Sequence, residues 1–177
     1  MAIQIGAKPD SGFDDPIGML IDCHRRIERF LHVLCMVADR ARNRALADEE
    51  VTAIQSALQY FRVGALRHTA DEEESLFPRL RTESVACNLE KLGGLESDHR
   101  QANELHAMVD ASYSEWIAAG RLSPEGEQRL RSNTEQLKHL YEEHIQVEEK
   151  IIFPQAAEML NPQAIVAIGQ EFYARRS

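Results

Sequence analysis

The chain has 177 residues, of which 44% are hydrophobic, 20 are basic and 29 acidic, giving a formal charge of −9. That length can bury one core in one folded unit, and an acidic balance with no basic cluster argues against nucleic-acid binding. No stretch approaches the roughly 18 unbroken apolar residues of a membrane span, and "MAIQIGAKPDSGF" does not read as a leader, so a cytoplasmic protein that avoids the membrane is expected.

In chain order, an arm of residues 1–14 leads into "DDPIGML", where an Asp cap precedes Pro16 at the first helical position. Leu20, Ile27, Leu31 and Leu34 then recur at helical spacing and make one buried stripe. Asp48 is expected to cap a second helix that carries Val51, Ile54, Leu58 and Phe61 towards Leu76, with Pro78 ending or kinking it. A third helix should begin at Leu89 or Leu95 and run to about Ala118, closed by Gly120, while the "LGGLE" of Leu92 to Glu96 reads as a turn. Ser123 and Pro124 open a fourth, through Leu130, Leu137 and Leu140 towards Pro154. Asn161 and Pro162 repeat the cap-then-proline signal for a short last helix. Strand alternation is missing. The reading is all-α: an up-down-up-down four-helix bundle over residues 15–160, preceded by the arm and followed by a C-terminal helix over 161–177.

Cys23, Cys35 and Cys87 have no CxxC spacing and are expected as reduced thiols in small buried hydrophobic positions. Neither GxGxxG, GxxxxGK[ST] nor GxSxG occurs, and no residue is assigned a catalytic role.

One phrase is written twice, as "HTADEEESLFP" from His68 and "HIQVEEKIIFP" from His144. Each copy has glutamates four and five residues after the histidine and Phe-Pro at nine and ten. Residues i and i+4 stack on one helical face about 6 Å apart along the axis, so His68 with Glu72 and His144 with Glu148 form two claws. Both continue apolar stripes, through Leu58, Phe61 and Ala65 and through Leu137, Leu140 and Tyr141, and so point inward. Burying such groups costs several kcal/mol unless they are paired or bind a metal. His24 and His99 lie on the stripes of helices one and three, and the intervals of 44, 31 and 45 residues between the four histidines resemble a doubled helical hairpin. Antiparallel packing would bring all four to one level of the core. Four imidazoles and two carboxylates suit iron first, then manganese or zinc. If both glutamates bridge two ions that also share an oxide or hydroxide, roughly two coordination positions stay open to water or a small diatomic ligand.

These residues resemble the hemerythrin-like family of HHE cation-binding domains. The carriers are "IDCHRRIERF", "RHTADEEESLFP", "ESDHRQ" and "EEHIQVEEKIIFP", over about residues 15 to 158. The resemblance implies a left-handed four-helix bundle with a non-haem di-iron centre and an oxo or hydroxo bridge. The implied ligands are His24, His68, Glu72, His99, His144 and Glu148, with the two glutamates bridging. The oxygen-carrying members have a further ligand on the second helix that this sequence does not match. The six-ligand pattern is similar to the proteins for repair of iron centres, associated with nitric oxide and oxidative stress, which usually carry a cysteine-containing N-terminal region that the arm here lacks. Three roles follow as expectations. One is a sensor or scavenger of dioxygen, peroxide or nitric oxide with an unidentified electron donor. The second is iron storage, delivery or iron–sulfur repair. The third is a helical interaction module in which the metal is a staple.

The neighbouring residues have plainer readings. Glu28 is expected in solvent or paired with a nearby Arg. Glu73 and Glu149, about 100° round the helix from the claws, are expected as outer-face charges, with a place behind the ligands as the alternative. His106 reads as a hydrogen-bonded core histidine, with an access route as its rival role, and His32 and His139 read as surface residues. Tyr141 reads as packing, against a hydrogen bond to a bound oxygen species. Asp22 and Asp98, each close before a ligand histidine, either orient an imidazole or face solvent.

Overall fold

The computed structural model describes residues 10–40, 43–83 and 89–177. Four long helices form the body: α1 (Pro16–Arg40), α2 (residues 48–83), α3 (Leu89–Ala119) and α4 (residues 124–159), followed by α5 (Pro162–Ala174). No strand occurs among the described residues. Each long helix packs on its two neighbours, α1 on α2 and α4, α3 on α4 and α2, which closes an up-down-up-down ring. The last helix, α5, lies against α1 and α2. No helix among the described residues is long and apolar enough to cross a membrane.

Local chemistry sets the boundaries. Asp15 Oδ1 accepts the Gly18 N–H at 3.0 Å, Ser123 Oγ that of Gly126 at 3.1 Å and Asn161 Oδ1 that of Ala164 at 2.9 Å, each satisfying an N–H that the first turn leaves unpaired. The α2 start differs from expectation. Ala47 occupies the cap position, Asp48 is already helical, and the Glu50 carboxylate takes the Ala47 N–H at 2.9 Å and two Arg44 donors at 2.7 Å. Arg44 first, then the Ala47 amide, hold the Glu50 carboxyl down at about 2. Gly120 closes α3 with φ 73°, a left-handed conformation that favours glycine.

One sequence reading is corrected and another narrowed. The "LGGLE" stretch is not a turn but lies inside α3, because Leu92 and Leu95 are buried against α2, α4 and α5. Each buried leucine contributes about 1.5–3 kcal/mol, which offsets about 1 kcal/mol for each helical glycine. Of the two outcomes expected at Pro78, ending or kinking α2, the first does not occur, and α4 likewise continues through Pro154; a π turn ahead of each proline absorbs it. Cys23 is buried and Cys35 half-buried, both as free thiols pushed up by burial, while Cys87 lies outside the described residues.

The interior has three levels. An upper apolar core joins Ile27, Leu31, Leu34, Ile54, Leu58, Val109, Tyr113, Trp116 and Leu137. A lower one joins Leu20, Leu76, Leu80, Leu92, Ile152, Phe153, Ile168 and Phe172, the last two from α5. On every long helix the chain passes from one core to the other through a buried histidine. The lower end is closed by α5 and the arm. Gly169 meets the Phe13 carbonyl so closely that an added Cβ would stand 1.9 Å from its oxygen. The arm is tied to α1 by the Ser11 N–H on Asp22 Oδ2 at 2.6 Å and by Arg26 on Asp10 at 2.6 Å.

Candidate metal centre

Each copy of the repeated phrase is built around one π turn, at Glu72–Leu76 and at Glu148–Ile152. The Phe77 amide donates to the Glu72 carbonyl and the Phe153 amide to the Glu148 carbonyl, one residue further back than in an α-helix. Pro78 and Pro154 follow with no N–H to give, so the break in the ladder falls where a proline costs least. Loosening the helix at this point re-aims the side chains around the glutamate, as π turns at functional sites do.

All six residues selected from the sequence come together, fully or almost fully buried: His24, His68, Glu72, His99, His144 and Glu148. Every imidazole presents Nε2 to a carboxylate. Glu72 places Oε1 3.4 Å from His68 and Oε2 3.3 Å from His99. Glu148 places Oε2 3.0 Å from His24 and Oε1 3.3 Å from His144. Two donor groups result, His24–His68–Glu72–Glu148 and His99–His144–Glu72–Glu148, each with its donor atoms within 4.8 Å of one another and both sharing the two glutamates. Metal–nitrogen and metal–oxygen bonds of about 2.1 Å at right angles put neighbouring donors about 3.0 Å apart, close to the 3.0–3.4 Å between each imidazole and its carboxylate.

The hydrogen-bonding state of these atoms supports a cation pair. Among the described residues, the buried side-chain nitrogens and oxygens with no hydrogen-bond partner all belong to these six. The Nε2-to-carboxylate contacts are close but misaligned for hydrogen bonds, so donors and acceptors converge on common points instead of on each other. Electrostatics agree. Burial, then Glu148, push the Glu72 carboxyl well up. Burial, then His24, push His68 well down. Burial opposes charge on His144 and on Glu148, yet Glu148 and Asp98 raise His144 to about 10 while His144 and His24 hold Glu148 well down. Paired cations would relieve these conflicts at once, because the layer would present neutral imidazoles and ionised carboxylates to positive charge.

Behind the six side chains stand three carboxylates, two of which the plainer sequence reading set on the outer face. Glu73 and Glu149 are not outer-face charges. Glu73 Oε1 lies 2.7 Å from His99 Nδ1, and Glu149 Oε1 2.9 Å from His24 Nδ1. Asp98 Oδ2 lies 3.3 Å from Nδ1 of His144, one helix away from its own sequence neighbour. The phenylalanines of the repeated phrase also have a role: Phe77 stacks on the His99 ring and Phe153 on the His24 ring, with centroids 6.3 and 5.4 Å apart. Each phrase therefore supplies two donors and also steadies the lone histidine of an adjacent helix with a carboxylate and a ring. The doubling of the adjacent glutamate in both copies was the signal for this, since a solvated face needs no such repetition.

The remaining candidates fall outside this arrangement. Asp22 accepts the Ser11 amide, Glu28 pairs with Arg25 at 3.0 Å, and His32 and His139 are exposed. Tyr141 and His106 lie within 3.0 Å of each other through the hydroxyl and Nε2. Burial pushes the Tyr141 phenol up and His106 down to about 4. Both line a groove of about 360 Å³ between α2 and α3, with Phe61, Ala65, Thr69 and the ligand-level His99 also in its wall. Arg62 and Asp110, paired at 2.6 Å, stand among its lining residues.

A four-helix bundle whose core is interrupted by two histidine–glutamate groups sharing both carboxylates belongs to the class of metal-binding helical bundles. The chain belongs to the hemerythrin family: the hemerythrin HHE cation-binding domain matches residues 15–156. An uncharacterized protein of Haemophilus influenzae is 25% identical over 164 residues, covering 93% of this chain and 91% of its own.

Proposed function

We propose that this protein is a cytoplasmic non-haem di-iron protein that binds or reacts with dioxygen, peroxide or nitric oxide, as a sensor or scavenger, with electrons from an external donor. The observation that carries the reading is the pair of donor groups with both glutamates in common. His24 and His68 would hold one iron, His99 and His144 the other, and Glu72 and Glu148 would span both. Two imidazoles and two carboxylate oxygens per ion leave coordination positions free even with a shared oxo or hydroxo bridge, which distinguishes a reactive centre from a closed structural one. When bound, the iron pair supplies redox chemistry and Lewis acidity.

The chain's own residues supply access and exclusion. The groove between α2 and α3 is the route for a small ligand, and at about 360 Å³ it has room for roughly ten water-sized molecules at about 30 Å³ each. Its walls join apolar residues such as Leu58, Phe61 and Ala65 to the Arg62–Asp110 pair, a mixed lining that admits a small uncharged oxidant. Tyr141, held by His106, offers a hydroxyl in the wall of the groove, one helical turn before His144 in sequence. Glu73, Glu149 and Asp98 hold three of the imidazoles with Nε2 inward.

The test is metal analysis of the purified protein, followed by stopped-flow spectra of its reduced form mixed with each oxidant. New absorption with at least one of the three is expected, and silence with all three ends the proposal. Rapid transfer of the iron to an apo acceptor would favour iron delivery instead. Full substitution by zinc with no redox change would favour the structural-metal module.

A further inference from the structure

The inner donors of the two ion positions are alike, but the groups behind them are not. At the His99–His144 position both imidazoles have a carboxylate on Nδ1, Glu73 at 2.7 Å and Asp98 at 3.3 Å. At the His24–His68 position His24 has Glu149 at 2.9 Å, while His68 Nδ1 is buried with no partner among the described residues. Glu149 is also the more neutralised of the outer carboxylates in one respect: its second oxygen takes Arg25 at 2.7 Å, an arginine that also binds Glu28.

The origin of the difference is one residue in the doubled sequence. The α3 segment reads Leu95-Glu-Ser-Asp98-His99-Arg and the α1 segment Leu20-Ile-Asp-Cys23-His24-Arg. Asp98 reaches across to the histidine of α4, whereas its sequence counterpart Cys23 has no carboxylate to offer the histidine of α2. The Cys23 sulfur instead takes a hydrogen bond from Arg26 at 3.3 Å.

A carboxylate on the far nitrogen fixes an imidazole's tautomer and orientation and strengthens the coordinating nitrogen, and losing one such partner costs about 10–100-fold in metal affinity. A coordinating Nε2 on His68 also forces the proton onto Nδ1, where a buried N–H stands unpaired. We infer that the two positions are unequal, that the one held by His99 and His144 fills first, and that the one held by His24 and His68 fills last and exchanges its ion. The groove opens beside His99, so a small ligand arrives on the side of the firmly held ion.

This inference rests on the dinuclear reading, and a titration separates the two. Metal-free full-length protein is titrated anaerobically with ferrous ion in a calorimeter. Two steps differing by about 10–100-fold in affinity are expected. Asp98→Asn, at a side chain 35% exposed and therefore tolerant of change, should weaken the tight step and bring the two together. Cys23→Asp should strengthen the weak step. His68→Ala should keep the tight step and lose the weak one, and His144→Ala the reverse. Two ions bound with equal affinity, or an unchanged tight step in folded Asp98→Asn protein, would overturn the inequality and leave the dinuclear reading standing. Binding of no ferrous ion at all would overturn the dinuclear reading itself.

Discussion

The upper core and the histidine–glutamate layer are buried to the same degree and differ in every other respect. In the upper core each polar group has its partner: the Tyr113 hydroxyl donates to the Leu34 carbonyl, the Trp116 indole to Arg44 at 3.0 Å, and Thr134 to Leu130 at 2.7 Å. In the layer nine buried nitrogens and oxygens have none among the described residues, and an unpaired buried polar group costs about 1–3 kcal/mol. The comparison assigns the two regions separate duties. Hydrocarbon burial assembles the bundle, and the layer is an internal cost that, on the proposed function, cations offset.

The comparison breaks most completely at Glu148, which serves both donor groups. Glu148→Ala should take the metal content from about two ions per chain to near zero, read by mass spectrometry. Chelation of the native protein should lower its stability by about 4 kcal/mol for each ion that had been present at a thousandfold over its Kd. Two ions retained by Glu148→Ala would show that the shared carboxylate is not a shared ligand.

A smaller effect is expected next to the layer, at Asp71. This fully buried carboxylate precedes Glu72 and is clamped by Arg175, at 2.9 Å, and by Arg176 from the end of α5. Replacing both arginines by Ala strands the charge and should cost about 3–5 kcal/mol in denaturant unfolding. In the upper core Leu34→Ala should cost about 2–5 kcal/mol by leaving a cavity, with the metal content unchanged. A core variant that unfolds easily yet keeps its ions when folded sharpens the division of duties, and one that loses ions in proportion to stability blurs it.

How much of this was legible in the sequence follows from the same division. The stripes that build the cores repeat at helical spacing, so the four long helices and the level of their histidines could be read from positions alone. Spacing along one helix says nothing of what lies across the bundle. Glu73 and Glu149 read as surface charges because a regular helix turns them aside, and only the π turns and the neighbouring helices bring them onto His99 and His24. Asp98 was undecided for the same reason, since its partner His144 is 46 residues away. "LGGLE" failed differently: two glycines in a row outweigh everything local, and the decisive burial of Leu92 and Leu95 is tertiary.

The smallest effect concerns pH and lies at the edge of the upper core. Burial, against the pull of Asp110, pushes His106 down to about 4 from an ordinary value of 6.5. Between those values the unfolded chain binds a proton there and the folded chain does not, so stability falls as pH drops through that window and levels off below about 4. A shift of this size corresponds to about 3 kcal/mol, and the water-accessible groove reduces it to about 1–3 kcal/mol. His68, which burial also holds well down, adds its own pH dependence, so the measurement is the difference between native protein and His106→Gln, in which that contribution cancels. Gln keeps a polar group beside the Tyr141 hydroxyl and cannot take up the proton. Its unfolding free energy should fall less steeply than the native one between about pH 6.5 and 4. Parallel curves would mean that His106 is already protonated in the folded protein and that the groove is wetter than its walls indicate.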